Sequence, residues 1–217
     1  MKIIPGQRSD LRRNVLMRRF VFLLAFFAVF FSPLCAFAQS SVVTVSRNLS
    51  QLVDESPVVM QGWVTAVTLQ PHTTLRNLLT VVVTVQVEET LKGAQAGSYT
   101  FTQAVIDRRD AQQKMGYRVG QHLLLILIKP NVYGLSSTAG MEQGRFLITA
   151  NRDGKKLAVN GVGNAGLFRG LDAQLKNKGL RIPAEAQSML AAPTPGPVSL
   201  EQLKTVIRTI STSSAPQ

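Results

Sequence analysis

Apolar residues along this chain recur mostly in steps of two. The clearest stretch is Leu78–Gly93, whose core runs Val81-Val82-Val83-Thr84-Val85-Gln86-Val87 and is β-branched apart from one glutamine. Val81, Val83, Val85 and Val87 share one face, and Val82, Thr84 and Gln86 share the other. That pattern predicts a strand in the wall of a barrel or sandwich. Lys92-Gly93 is expected to end it, glycine supplying the positive φ of a turn. Upstream, Val58–Leu69 alternates well enough for a strand, with Gly62 as the expected bulge or bend. Downstream, Ser98–Ile106 places Tyr99, Phe101 and Gln103 on one face. His122–Lys129 carries six consecutive aliphatics, which predicts a strand buried on both sides. Asn131–Ser136 and Gly144–Ala150 bracket a small-residue loop, Ser137–Gln143. Asn151-Arg152-Asp153-Gly154 is a hairpin turn that should pair GRFLITA with KKLAVN. The polar, β-branched lead-in over 39–47 could add an edge strand. Gln70–Asn77, which holds His72, and Asp107–Tyr117 read as loops.

Helical spacing is confined to the flanks. Leu49, Leu52 and Val53 fall on one helical face before Pro57, predicting a short helix over 48–55. Leu167–Leu175 and Ala184–Leu190 are weak helix candidates within an extension over 167–192. The Pro-rich segment 193–198 is a linker. Ser199, with Gln202 three residues on, reads as the capping box of a helix over 199–210. The stripe of that helix, Leu200, Leu203, Val206, Ile207 and Ile210, is expected to dock on the chain's own β domain. Residues 211–217 read as a disordered tail. The β domain is thus expected over 39–166.

The first 38 residues belong to a different class. Arg12, Arg13, Arg18 and Arg19 precede the apolar run Phe20–Phe31, Ser32-Pro33 breaks it, and Ala36-Phe37-Ala38 has the form of a signal-peptidase site. The expectation is an exported chain cleaved near Ala38, periplasmic or extracellular, touching the membrane only through this segment during export. Met17 would start a more compact signal than Met1. Cys35 leaves with the signal, so the remainder has no cysteine to offer as nucleophile, metal ligand or disulfide. Lys2 and five arginines against Asp10 leave as well, which reduces the net charge of +12 to +7, from 18 basic and 11 acidic residues. That balance suits acidic partners.

Little in the chain reads as catalysis. Gly161–Gly166 matches GxGxxG, but LFRGLDAQLKNKGLRIP follows it with no second parallel strand. A nucleotide cofactor is therefore not expected, and the motif reads as a tight turn. His72 and His122 lack neighbouring ligands at metal spacing. Glu88 and Glu89 are expected on opposite strand faces, and Asp107 and Asp110 as solvated charge. Asn48-Leu49-Ser50 has the form of a glycosylation acceptor. Trp63, Tyr99, Phe101, Tyr117 and Tyr133 are candidates for an aromatic binding face, or for core.

The order of SPVVMQGWV, the long central strand, ETLKG, the aromatic strand and VGQHLLLIL, over about Leu52–Leu127, resembles the N-terminal OB-like barrel of netrin-like domains and of the tissue inhibitors of metalloproteinases. It also resembles a group of exported bacterial proteins sharing S-P-V-V…L-K-G…V-G-x-x-L-L…G-x-F, from which no activity follows. The first resemblance implies a fold: a mainly β chain built on a small OB-like antiparallel barrel, with a short N-terminal helix and a C-terminal helical appendix. It carries over no inhibitory residue, since those inhibitors act through an N-terminal cysteine that this chain lacks.

The functional expectation is a non-enzymatic binding module of the cell envelope, without cofactor or metal. Its partner would be an envelope protein or an anionic polymer. Arg76, Arg108, Arg109 and Lys114, in the loops where a barrel varies most freely, are the candidate binding residues. The rival readings are a hydrolase assembled only in three dimensions and a salt-sensitive binder of nucleic acid.

Overall fold

The computed structural model describes residues 45–191 and 194–213. The signal-peptide expectation, most of the 39–47 lead-in and residues 214–217 lie outside them. The chain is mainly β: β1 (Val58–Pro71), β2 (Leu79–Lys92), β3 (Ser98–Ala104), β4 (His122–Leu127), β5 (Arg145–Ala150), β6 (Lys156–Asn160) and β7 (Val198–Ser199). They form one antiparallel sheet in the order β3-β2-β1-β4-β5-β6-β7, which no ladder closes among the described residues. The helices are α1 (Leu49–Asp54), α2 (Arg108–Gln112), α3 (Leu171–Asn177), α4 (Ala184–Ala191) and α5 (Leu200–Ser213). Among the described residues no helix is long and apolar enough to cross a membrane.

β4 is buried at every position, and its alternation divides the core in two. Leu123, Leu125 and Leu127 pack with Met60, Val64, Val81, Val83, Val85 and Phe101 on one face. Leu124 and Ile126 pack on the other with Phe146 and the apolar faces of α1, α3 and α5. Leu200, Leu203, Val206, Ile207 and Ile210 are fully buried there, so α5 docks on its own sheet. The segment after β4 turns back on the first face. Ile128 N–H donates to the Ser137 carbonyl, Ser136 N–H donates to the Thr102 carbonyl, and Leu135 makes a single parallel bridge with Thr102.

Several local expectations change once packing is visible. Asp107–Tyr117 is not a loop: its first part is α2, because the Asp107 carboxylate accepts from the backbone N–H groups of Arg109 and Asp110 as an N-cap. Asp107 is therefore a capping residue rather than idle solvated charge. Asn131–Ser136, which brackets the small-residue loop, makes a turn and one bridge. The expected linker contributes β7, which pairs with β6 at Leu157 and Ala158. α5 begins at Leu200 and continues past 210 to Ser213. Gln202 turns its amide to the Glu185 carbonyl and Ser188 of α4. The capping box found in the structure belongs to α1, between Asn48 and Gln51. The Asn48 amide is buried and donates to the Arg169 carbonyl and Gln174 Oε1, so it is no glycan acceptor in the folded chain.

Candidate functional site

Gly62 is the hinge of the site. At the bulge between Gln61 and Gly62, β2 carries one residue more than β1: Gln61 pairs with Glu89, Gly62 with Val87, and Glu88 has no partner. An unpaired residue breaks strict alternation. Glu88 and Glu89 consequently reach the same face, the one under α5, and not opposite faces as period-two counting implies. Glu88 meets Gln61, Trp63 and His122, whose strand-mates Leu124 and Ile126 pack against α5. Glu89 meets Lys204 and Arg208 of α5 itself.

Around Glu88 the contacts are short and convergent. Its Oε2 accepts from Gln61 Nε2 at 2.7 Å and from His122 Nε2 at 2.8 Å. Its Oε1 accepts from the Trp63 indole N–H at 2.7 Å. A carboxylate can only accept, so this geometry places the His122 proton on Nε2. The Trp63 ring lies flat over His122, with centroids 4.3 Å apart and planes 10° from parallel. His122 is 6% exposed and Trp63 42%, so the indole shields the imidazole from solvent. Gln61 Oε1 is buried without a hydrogen-bond partner.

These surroundings move both titrations. Burial, the largest influence on His122, lowers its pKa below 6.5, and the Glu88 carboxylate offsets this only in part. Burial alone would raise Glu88, but the hydrogen bonds from Trp63, Gln61 and His122 outweigh it and hold its pKa below 4.5. Both groups therefore bind protons less readily in the folded chain than in the unfolded one, so acid favours unfolding. The His122 contribution is complete above its unfolded value and declines as pH falls from about 6.5. The Glu88 contribution declines below 4.5. The expected result is a urea midpoint that drops between about pH 7.5 and about pH 5.5, with a shallower drop in His122→Gln. Equal slopes for the two proteins would remove His122 from the account.

Beside this cluster, Lys204 bridges Glu89 at 2.8 Å and Glu201 at 2.9 Å while almost wholly buried. Burial works against its charge, but the two carboxylates outweigh that and raise its pKa. Arg208 closes the network on Glu89. The hydrolase reading required a histidine joined to an acid and a hydroxyl. His122 has the acid, but a glutamine amide and an indole stand where a hydroxyl would be needed. His72 is committed elsewhere: its Nδ1 accepts from the N–H groups of Thr74 and Leu75, and its Nε2 donates to the Tyr133 carbonyl at 3.0 Å. It latches the β1–β2 turn to the 131–134 turn. Among the described residues no group of three or more His, Cys, Asp or Glu could hold a metal ion.

The other sequence candidates are scattered or structural. Phe101 and Tyr117 meet edge to face in the core, Tyr99 is half-buried against it, and Tyr133 is exposed on a separate turn from Trp63, so no aromatic face is assembled. The GxGxxG stretch is a series of turns, in which left-handed Asn164 accepts from the Asn160 N–H and donates to the Ala158 and Gly196 carbonyls. Arg76 lies exposed in the β1–β2 turn, Arg108 and Arg109 on α2, and Lys114 just after it. The bond from Val105 N–H to the Leu79 carbonyl brings the start of the α2 segment beside the β1–β2 turn that carries Arg76, whereas Lys114 precedes Met115, whose carbonyl accepts from Arg145 of β5. None of the four makes an ion pair among the described residues. The Glu88–His122 cluster escaped sequence reasoning because its contacting pairs lie 25 to 61 residues apart.

No protein-family model, curated protein or solved structure matches the chain.

Proposed function

We propose that the chain is an exported, non-enzymatic binding module of the cell envelope that takes an acidic partner on the basic end of its sheet. One observation carries this reading: the exposed cations Arg76, Arg108 and Arg109 at that end, with Lys114 just beyond α2, make no ion pair among the described residues, although Asp107 and Asp110 stand on the same helix. An unpaired guanidinium keeps its donors for an incoming carboxylate or phosphate. Export rests on the basic, apolar and small-residue order of the first 38 residues.

The fold reading accompanies it: β1 to β4 with the 135–138 segment form a small OB-like barrel to which β5, β6 and β7 are added. The parallel bridge between Thr102 and Leu135 and the antiparallel bridge between Leu127 and Thr138 support closure along that path. So does the placement of α2 between β3 and β4.

The test is a pull-down with the full-length chain from native envelope extract, repeated with Arg108→Ala/Arg109→Ala. A partner captured by the native chain and reduced roughly tenfold in the variant is the expected result, since each charge-assisted contact contributes about 1.5–3 kcal/mol before screening. A partner captured equally well by both would move the interface off α2 and overturn this assignment.

A further inference from the structure

The C-terminal half of β1 has a vacant side among the described residues. β4 pairs with β1 only from Val58 to Trp63, and the last bonds across that edge are Val64 N–H to the Gln121 carbonyl and Gly120 N–H to the Val64 carbonyl, both 2.9 Å. From Thr65 to Pro71, β1 pairs with β2 alone among the described residues. The register identifies which groups are left over. His72 N–H donates to the Leu78 carbonyl, making that couple a hydrogen-bonded pair. Antiparallel alternation then turns the N–H and C=O of Val67 and Leu69 away from β2, toward the vacant side. Pro71, which has no N–H to lose, falls at an outward position of the same series.

This edge lacks the usual protection. Thr65-Ala66-Val67-Thr68-Leu69-Gln70 contains no charge, and Leu69 is 37% exposed. Natural edges are commonly blunted by lysine, by an early proline or by a covering loop. Here the proline comes only at the end, and the charges stand at the two ends of the vacancy. Arg118 lies in the turn whose Gln121 carbonyl closes the edge at Val64, and Arg76 lies in the turn beyond Pro71. Both are exposed and without an ion pair among the described residues. No Asp or Glu occurs from Ser56 to Val87.

We infer that the open edge of β1 over Thr65–Pro71 receives an extended acidic segment of a partner protein as an added antiparallel or parallel strand. The main-chain groups of Val67 and Leu69 supply the ladder, and Arg118 and Arg76 clamp the segment's carboxylates at either end. A second copy of this chain fits poorly. Antiparallel pairing of two such edges would set the Arg118 turn of each copy beside the Arg76 turn of the other, like charge on like. The inference rests on the preceding section only in taking the partner to be acidic.

The probe is a short fluorescein-labelled peptide of alternating valine and glutamate, titrated into the full-length chain and read by anisotropy. Three comparisons accompany it: the peptide N-methylated at alternate residues, a valine–lysine peptide, and the chain carrying Leu69→Pro, which removes one outward N–H. The acidic peptide should bind. N-methylation, Leu69→Pro and the valine–lysine sequence should each weaken binding roughly tenfold or more, while Arg108→Ala/Arg109→Ala leaves it within about twofold. Should Leu69→Pro perturb folding, the N-methyl comparison on the native chain carries the same information. Equal binding of the N-methylated and unmodified peptides would overturn strand addition and leave the basic-end reading standing. No binding of the acidic peptide would overturn the inference. Sedimentation showing native dimers that Leu69→Pro dissociates would overturn it in favour of self-pairing.

Discussion

Gly62→Ala lowers the unfolding free energy by about 3 kcal/mol and the thermal midpoint by roughly 10 °C. The reason is space at the bulge. A Cβ on residue 62 would fall into the Gln86 carbonyl and come within 2.8 Å of Val85 Cγ1. Both belong to β2, and Val85 is fully buried in the inner cluster, so neither yields cheaply. The strands would have to part where the bulge sets Glu88 beside Gln61, and the effect should therefore extend to the Trp63–His122 stack. Circular dichroism melts give the midpoint, and Trp63, the chain's single tryptophan, reports the stack by fluorescence. An unchanged midpoint together with an unchanged emission maximum would mean that β1 and β2 do not approach this closely.

The second large effect is expected in α5. Ile207→Ala removes a fully buried side chain from the cluster shared with α1 and the sheet, at a cost of about 3 kcal/mol. Urea unfolding of the purified chain checks it. A helix kept free to seize another protein would lose less than about 1 kcal/mol from the same truncation. Peptide binding at β1 should be untouched, because α5 lies against the face of the sheet and not along its vacant edge. The Lys204–Glu89–Arg208 network joins the same helix to β2, but the cost of desolvating buried Lys204 offsets much of its attraction, which leaves the five fully buried apolar side chains dominant.

Much of the β domain was legible because its determinants are local. Period-two alternation marks β1, β2 and β3, and six aliphatics mark β4 as buried on both faces. Asn151-Arg152-Asp153-Gly154 joins β5 to β6, where left-handed Gly154 follows Asp153 and the register runs from Phe146↔Asn160 to Ala150↔Lys156. Gly62 was readable as a bulge or bend, since a glycine inside an apolar strand marks one or a close backbone approach, and the residue left unpaired beside it is Glu88 of β2. What the bulge does was not readable. Counting by twos assigns Glu88 and Glu89 to opposite faces, and only the pairing of β1 with β2 reveals that one residue is skipped.

The same division runs through the candidate sites. The four cations were legible as residue types, but the approach of Arg76 to the start of α2 depends on how β2, β3 and α2 are joined. The Glu88–His122 pair and the vacant edge of β1 have no sequence signature, because each arises where an element stops finding a neighbour or finds an unexpected one. By itself the sequence determined which segments extend, which turn and where charge gathers, since backbone preference and hydrophobic period act over a few residues. Only the tertiary structure decided which polar groups meet and which strand edge stays open. Those outcomes depend on register and packing between residues far apart in the chain, and no local pattern encodes them.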